Sequence, residues 1–177
     1  MEVTEAILSR RSVREYDQRE VSGHQVGLLL EAALRAPSAG DVHPYEVVVV
    51  LEKNKRTELA RACLDQEFVH EAPVDLVFLI DQSAAYAAYG RRGVQLYSLL
   101  DVGAAVENLM VAAAGMGLGT CWIGAFDEEE VGRTIGAPKG HRPVTVITLG
   151  YPRTHERGRA PPRVKDKTYL NSYGLQW

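Results

Sequence analysis

The sequence has little of several features that would restrict its function. It has two cysteines, Cys63 and Cys121, too few for a disulfide framework, so we expect reduced thiols in a cytoplasmic protein. Its 20 basic residues are balanced by 23 acidic ones, and a pI near 6.0 argues against a general nucleic-acid binder. The first residues, MEVTEAILSR, lack the basic region of a secretory signal. With 177 residues, the chain is predicted to form one domain, 1–177.

The sequence also lacks the short motifs of several enzyme classes. It contains no GxxxxGK[ST], HExxH, CxxC or GxSxG, and its five histidines lie far apart, so we expect no metal site. GMGLGT (115–120) resembles a dinucleotide-binding turn, but Thr120 stands where the third glycine belongs. A dinucleotide-binding turn also follows a strand, whereas GMGLGT follows a helical pattern. We therefore interpret its glycines as the end of a helix.

One uncharged stretch raises the alternative of a membrane span. Residues 109–126 carry no charge over 18 positions, close to the ~20 that cross a bilayer. Four glycines interrupt the stretch, and acidic residues rather than basic ones flank it. A buried helix that leads into a glycine turn and a short strand explains these features better.

The remaining pattern predicts helices around buried strands. TEAILSRR indicates a short helix capped by Thr4, and Ser22 with Gln25 forms a capping box for a second helix, which Pro37 ends. Apolar runs predict strands in YEVVVVL, APVDLVFLI and HRPVTVITLGYP, and helical patterns run through LARACL and FDEEEVGRTI. Residues 82–95 show no clear period and are predicted to form a mobile excursion.

The most regular pattern is a long apolar helix. Apolar and small residues recur at alternating spacings of three and four from Leu96 to Gly117, with alanines around them. A helix this apolar must be buried on several sides, so part of its cover is expected to come from a second subunit. The alternative is a core helix in a monomer.

Arginine accounts for 15 of the 20 basic residues, and arginines gather near both ends of the chain. The two groups are Arg10, Arg11, Arg14 and Arg19, and Arg153, Arg157, Arg159 and Arg163. The planar guanidinium group binds phosphate through two hydrogen bonds, so the two groups predict one anion pocket if folding or dimerisation joins the ends. A nucleic-acid arm, or a solvated basic face with a loose tail, are the alternatives. Residues 152–177 are predicted to form an extended arm that lies on the partner, with KTYLNSY as an added strand.

Four segments, in order, resemble the FMN-dependent nitroreductase family. ILSRRSVREY is similar to the family's N-terminal arginine–serine segment, and APSAGDVHPYEVVVV to its second flavin segment and strand. DVGAAVENLMVAAAGMGLGTCWIGAF resembles the long dimer helix and the turn under the flavin, and PPRVK the last phosphate contact. The resemblance implies an α+β homodimer with a central, mainly antiparallel sheet, flanking helices and swapped C-terminal arms.

The resemblance also implies two FMN sites at the subunit interface. The residues it implies are Arg10, Arg11, Ser12, Arg14, Pro37, Ser38, Ala39, Asp41, Gln66, Ile123, Gly124, Ala125 and Arg163. The arginines and Ser12 would hold the phosphate and the pyrimidine side of the ring, although Arg11 is either a contact or a surface residue. Residues 37–39 of the other subunit would line the ring and the ribityl chain, and Gln66 the pyrimidine edge. The amides of 123–125 would face the ring, with Gly124 near flavin N5 and no catalytic side chain.

Some residues depart from the family pattern. Asp41 stands where asparagine is common, and His43 and Tyr45 replace glutamine and tryptophan. Tyr86, Tyr89, Arg91 and Arg92 are expected to be either substrate-side contacts or parts of an exposed loop without a role.

The resemblance implies that hydride passes from NADH or NADPH to FMN, and then to a nitroaromatic, quinone or enone acceptor in a ping-pong reaction. The alternatives are an enzyme of the same fold with another reaction, such as reductive dehalogenation or flavin destruction, and a flavin-binding protein without turnover.

Overall fold

The computed structural model describes residues 2–154 and 160–176, and in these it places a four-stranded sheet between two layers of helices. The strands are β1 (Tyr45–Val50), β2 (Val74–Asp81), β3 (Gly119–Ile123) and β4 (His141–Gly150). Their order is β1-β2-β4-β3, and every neighbouring pair is antiparallel. The predicted α+β class, the antiparallel sheet and the positions of the strands are confirmed.

Seven α-helices are found in the described residues. They are α1 (Val3–Ser9), α2 (Gly23–Leu34), α3 (Lys53–Ala62), α4 (Phe68–Glu71), α5 (Gln82–Arg92), α6 (Ser98–Gly115) and α7 (Glu128–Ile135). Short 3-10 turns lie at Ala39–Asp41 and Val164–Asp166, and a π-helical turn, Gly93–Tyr97, joins α5 to α6.

Local signals explain where several helices begin and end. The capping box of α2 is present, because the Ser22 hydroxyl accepts from Gln25 N at 3.2 Å and Gln25 Oε1 accepts from Ser22 N at 3.1 Å. The prediction that Thr4 caps α1 is wrong. The N-cap is Glu2, two residues earlier, and its backbone N–H donates to the Glu5 carboxylate at 3.3 Å in a capping box.

The prediction of a mobile excursion at 82–95 is also wrong. Asp81 Oδ1 accepts from the backbone N–H groups of Ser83 and Ala84, at 2.9 and 3.0 Å, and thereby starts α5. The alanines that follow are strong helix formers, yet Ala85 is the only residue of α5 classed as buried, so no apolar period marks the helix. Near its end, Gly90 (φ 57°, ψ −146°) adopts a conformation open mainly to glycine and bends the chain toward α6.

The core lies on both faces of the sheet. On one face, side chains of β2 and β4 pack against α2 and α6; the largest of these strand residues are Leu76, Phe78, Ile80, Ile147 and Leu149. On the other face, α3 and α7 cover Val77, Val146 and Ile123. Because both faces are covered, β2 reads as a continuous apolar run rather than an alternating one.

The uncharged stretch 109–126 forms the end of α6, a turn at Gly117 (φ 73°) and β3, as predicted. The helical run Gln82–Gly115 contains an 18-residue window with a mean hydropathy of 1.3, so by length and composition alone it could cross a membrane. In the fold, α6 packs against α1, α2 and the sheet, which identifies it as a core helix. One strip of α6 stays uncovered in the single chain, where Leu99 and Leu100 are 41% and 60% exposed.

The end of the chain forms a turn within the described residues. Tyr169 pairs with Gln176 in an isolated bridge, and Leu170 N donates to Leu175 O at 2.8 Å, so KTYLNSY is not a strand of this chain's own sheet. The swapped arm, 152–177, stays a prediction, and Arg157 and Arg159 lie outside the described residues.

Asp75 places a carboxyl group in the interior of the protein. It lies on β2 opposite Thr148 of β4 and is fully buried, and neither carboxyl oxygen has a hydrogen-bond partner within residues 2–154 and 160–176. Burial raises the pKa of Asp75 well above its usual range, and the Arg56 guanidinium only partly opposes this. Folded Asp75 is therefore protonated at pH values where the unfolded chain, with a carboxyl pKa of about 3.9, has lost the proton.

This difference predicts a stability that falls as pH rises. Between the unfolded and folded pKa values the native state binds the extra proton, so Asp75 lowers the free energy of unfolding by about 1.4 kcal/mol per pH unit. We expect Asp75→Asn, which is neutral at every pH, to lose less stability between pH 5 and pH 7 than the wild type. Urea denaturation at both pH values measures this, with exposed Asp17→Asn as the control. Parallel wild-type and Asp75→Asn profiles would show that Asp75 titrates normally.

Candidate cofactor site

The arginine-rich N-terminal segment, residues 10–17, is fixed against the end of the sheet. Ser12 forms a parallel bridge with Thr120 of β3, and Val13 N donates to Thr120 O at 2.8 Å. Gly119 permits this approach, because a Cβ there would lie 2.7 Å from Val13 Cγ2. Farther along, Asp17 N donates to Tyr151 O at 2.8 Å, just beyond β4. The segment thus spans from β3 to the end of β4.

Tyr16 holds the middle of this segment. Its side chain is fully buried, and its hydroxyl donates to Val13 O at 2.7 Å and lies 2.5 Å from Thr148 Oγ1. Burial raises the pKa of Tyr16, so the hydroxyl keeps its proton. Because the Tyr16 hydroxyl donates this proton to Val13 O, the Thr148 hydroxyl is the donor in the bond between Thr148 and Tyr16. Tyr16 was not predicted from the sequence, although an aromatic residue with a polar hydroxyl three positions after the apolar Val13 was a usable signal.

The three predicted cofactor arginines of this segment have different partners. Arg10 Nε lies 3.4 Å from the Glu107 carboxylate of α6, in a partly exposed ion pair. The Arg11 guanidinium donates to Thr154 O. Arg14 lies 5.7 Å from the centre of the Phe68 ring, and it has no carboxylate at ion-pair distance within residues 2–154 and 160–176. Arg10 is thus paired with a carboxylate and Arg11 with a backbone carbonyl, whereas Arg14 has neither kind of partner among the described residues.

The fold brings part of the C-terminal arginine group to this segment. Arg153 N donates to Glu15 O at 3.0 Å, and its guanidinium donates to Tyr16 O at 2.9 Å. Arg163 does not join it in the single chain, because its side chain is 70% exposed and pairs with Asp166 at 2.8 and 3.1 Å. The predicted meeting of the two ends thus occurs through Arg153, which was not among the predicted cofactor residues.

A cavity of about 210 Å³ lies under the segment, between the ends of α1 and α6 and the start of β3. Its lining includes Arg10, Arg11, Met110, Gly117, Thr120 and Pro152. In the part of the chain that is described, no group of three His, Cys, Asp or Glu side chains is arranged to hold a metal ion.

Gln66 and the turn after β3 form a second part of the predicted site. Gln66 Nε2 donates to Cys63 O at 2.7 Å and to Ala125 O at 3.2 Å, which ties the start of α4 to the turn 123–125. Ile123 O accepts from Thr145 Oγ1 at 2.9 Å. Gly124 is exposed, and a Cβ built on it would meet no atom within 4 Å, so its backbone is open to a ligand. Arg14, beside Phe68 of α4, borders this group.

The loop 37–43 carries the remaining predicted residues and is held by Asp101 of α6. The Ser38 hydroxyl donates to Asp101 Oδ2 at 2.9 Å, and Ala39 N donates to Asp101 Oδ1 at 3.0 Å. His43 N in turn donates to Ser38 Oγ at 2.9 Å, which folds the loop back on itself. Pro37 is exposed at the start of the loop.

Asp41 and His43, which depart from the family pattern, contact each other. Asp41 and His43 both have positive φ, 60° and 47°, a conformation that costs a non-glycine residue roughly 1–3 kcal/mol. Their side chains meet at 2.9 Å between Asp41 Oδ1 and His43 Nε2. The Asp41 carboxylate, 93% exposed, is thus directed to His43 within its own loop.

Helix α5 borders this loop. The Tyr89 hydroxyl lies so close to Gly40 (φ 58°) that a Cβ at position 40 would overlap it. Tyr89 also packs edge-on against Tyr97, with ring centres 5.2 Å apart, and Arg92 Nε donates to the Tyr97 hydroxyl at 3.0 Å. Tyr86 and Arg91 are exposed. A substrate-side role for these four residues stays a prediction.

Tyr16→Phe tests whether the segment depends on the buried hydroxyl. The change leaves Thr148 Oγ1 and Val13 O without their partner, and we expect it to lower the free energy of unfolding by about 1–3 kcal/mol. Urea denaturation measures the loss, with Tyr86→Phe on exposed α5 as the matched control. Equal stability of the two variants would contradict the role of the hydroxyl.

Comparison with known proteins places this geometry in a family. The model of the nitroreductase family matches residues 7–69 and 58–151. An FMN reductase [NAD(P)H] of Bacillus subtilis is 28% identical, over 96% of this chain and 75% of its own length. An NADPH-flavin oxidoreductase of Vibrio harveyi is 30% identical, over 84% of this chain and 65% of its own length.

The fold agrees with solved structures. The NADPH:FMN oxidoreductase of Vibrio harveyi, complexed with NAD+, superposes with a TM-score of 0.88 at 26% identity, covering 97% of this chain and 77% of the other. The matched family segments include the arginine-rich segment, the loop 37–43, α6 and β3. The chain belongs to the nitroreductase family.

Proposed function

We propose that the protein is an NAD(P)H-dependent FMN oxidoreductase that passes hydride from reduced nicotinamide, through flavin N5, to a nitroaromatic, quinone or enone acceptor in a ping-pong reaction. The relatives named as FMN reductase and NADPH-flavin oxidoreductase support the cofactor and the electron donor. The observation that carries the proposal is the arginine-rich segment, fixed to β3, in which the Arg14 guanidinium has no carboxylate partner among the residues that the structure describes.

The residues present fit FMN. Arg10 and Arg11 line a cavity of about 210 Å³, and a guanidinium fork matches the geometry of a phosphate group. The exposed backbone at Gly124 suits the close approach of a flat ring, because glycine has no Cβ and the place where a Cβ would stand is open within the described residues. Bound FMN would supply the hydride chemistry, so a site without a catalytic side chain is adequate.

Each part of the site then has a task. Arg10, Arg14 and Arg163 would hold the phosphate and the pyrimidine side, where positive charge would also stabilise the electron-rich reduced state. Arg11 and Ser12 would lie beside them, and Gln66 at the pyrimidine edge. The backbone at 123–125 would face the ring, with the Gly124 N–H near N5.

The proposal includes a homodimer in the cytoplasm, in which residues 37–39 of one subunit, with Asp41 nearby, complete the site of the other. The uncovered strip of α6, with Leu99 and Leu100 exposed, supports an interface there. The exposed position of Arg163 in the single chain is compatible with an arm that reaches across to the partner.

The spectrum of the purified protein tests the function. We expect a yellow protein with a band at about 450 nm, bleached by NADH or NADPH without oxygen and restored by a nitroaromatic compound or a quinone. A flavin that the nicotinamides cannot reduce would instead indicate a flavin-binding protein without turnover. A colourless protein that binds no added FMN would refute the proposal.

Arg14→Ala is expected to weaken FMN binding strongly, because it leaves a desolvated phosphate or ring charge without its partner, at a cost of about 2–5 kcal/mol. Arg10→Ala is expected to weaken it less, since Glu107 already shares the Arg10 charge. The dissociation constant follows from flavin fluorescence released on dilution of the holoprotein. Arg133→Ala, an exposed change on α7, is the control. Full FMN retention in both site variants would contradict the assignment.

Gly103→Leu tests the dimer. A Cβ built on Gly103 meets no described atom within 4 Å in the single chain, so a larger side chain begins in open space on the uncovered strip of α6. We expect light scattering after gel filtration to show a shift from dimer to monomer. Gly27→Leu on α2, where a Cβ also has open space, is the control. A normal Gly103→Leu dimer would place the interface elsewhere.

A further inference from the structure

We propose that Asp101 is a positioning residue for the cofactor: its carboxylate holds Ser38 and Ala39 in the conformation that FMN meets. The inference rests on the proposed function, in which residues 37–39 line the flavin ring and the ribityl chain. Asp101 was not among the residues that the family resemblance implied.

The geometry of Asp101 separates it from an ordinary surface carboxylate. It is 5% exposed on the first turn of α6, and both of its oxygens accept hydrogen bonds from adjacent residues of the loop. One bond comes from a side chain, Ser38 Oγ, and the other from the backbone, Ala39 N, so the carboxylate fixes position and orientation together. Bonds to a charged acceptor are stronger than those between neutral groups, and a buried carboxylate needs them.

The backbone of the loop is strained and therefore needs a support. Gly40, Asp41 and His43 all have positive φ, at 58°, 60° and 47°, and two of these residues carry a Cβ. Ser38 transmits the support to the strained part, because its hydroxyl accepts from His43 N at 2.9 Å while it donates to Asp101. From the other side, the Tyr89 hydroxyl closes on Gly40. The loop is thus held between α6 and α5.

All of these contacts join residues of the chain itself, so they can hold the loop without help from FMN. A preformed site avoids the entropy cost of ordering residues 37–43 when the ligand arrives. Losing the carboxylate should therefore weaken FMN binding without removing any group that touches FMN. Asp101 acts through Ser38 and Ala39 and is not itself a catalytic residue.

The test uses Asp101→Asn, which keeps the shape of the side chain but replaces one acceptor oxygen with a donor. Asp81→Asn is the matched control, because Asp81 is also an aspartate that accepts from two backbone N–H groups, those of Ser83 and Ala84 at the start of α5. Two quantities are measured on each purified protein: hydrogen exchange of the Ala39 amide, and the FMN dissociation constant from dilution of the holoprotein.

We expect Asp101→Asn to raise both the Ala39 exchange rate and the FMN dissociation constant by about tenfold, the usual effect of losing one charged hydrogen bond. Asp81→Asn should raise exchange at Ser83 and Ala84 only. Faster exchange with an unchanged dissociation constant would overturn the inference, because Asp101 would then be merely structural. A weaker FMN affinity without faster exchange would overturn it too, since the effect would not pass through the loop.

Ser38→Ala keeps the inference testable if Asp101→Asn does not fold. This variant removes the side-chain bond to Asp101 and should raise both quantities in the same sense, and unchanged values would overturn the inference. A wild-type protein that binds no FMN would overturn the proposed function and this inference together. A flavin-loaded wild type with an unaffected Asp101→Asn would overturn the inference alone.

Discussion

The site depends most on the hydrogen bonds of the buried Tyr16 hydroxyl. It joins the carbonyl of Val13 to Thr148 in β4, so the arginine-rich segment is held to the sheet by a side chain as well as by its bridge to β3. The three arginines of this segment, Arg10, Arg11 and Arg14, lie within five residues, so their charges repel one another and the segment would otherwise be expected to move in solvent. The sheet therefore supplies the rigidity, and the arginines supply the charge.

Much of the fold could be predicted from sequence because its signals are local. β-branched runs marked β1, β2 and β4, and the Ser22–Gln25 pair marked the start of α2. Helix α5 could not be predicted in this way, since its alanines pack little into the core and leave no apolar period. The N-cap of α1 was predicted at Thr4 rather than at Glu2, because glutamate is a less common N-cap than threonine.

The site was harder to predict because it depends on contacts between distant parts of the chain. The family resemblance pointed to Ser38 and Ala39, but only the structure shows that Asp101, more than sixty positions later, holds them. The same is true of Arg153, whose contact with Tyr16 spans 137 positions. Charge and spacing indicated which kinds of residue form the site, whereas the partner of each arginine, such as Glu107 for Arg10, could be identified only in the folded structure.

The burial of both thiols has a consequence for the chemistry proposed here. Quinones and enones alkylate cysteine by conjugate addition, and the reactive form is the thiolate. Cys63 and Cys121 are both buried, and burial raises the pKa of Cys63 to about 12 and that of Cys121 above its usual value. Neither presents a thiolate to solvent, so an enzyme built this way could handle such electrophiles without being inactivated through its own sulfur atoms.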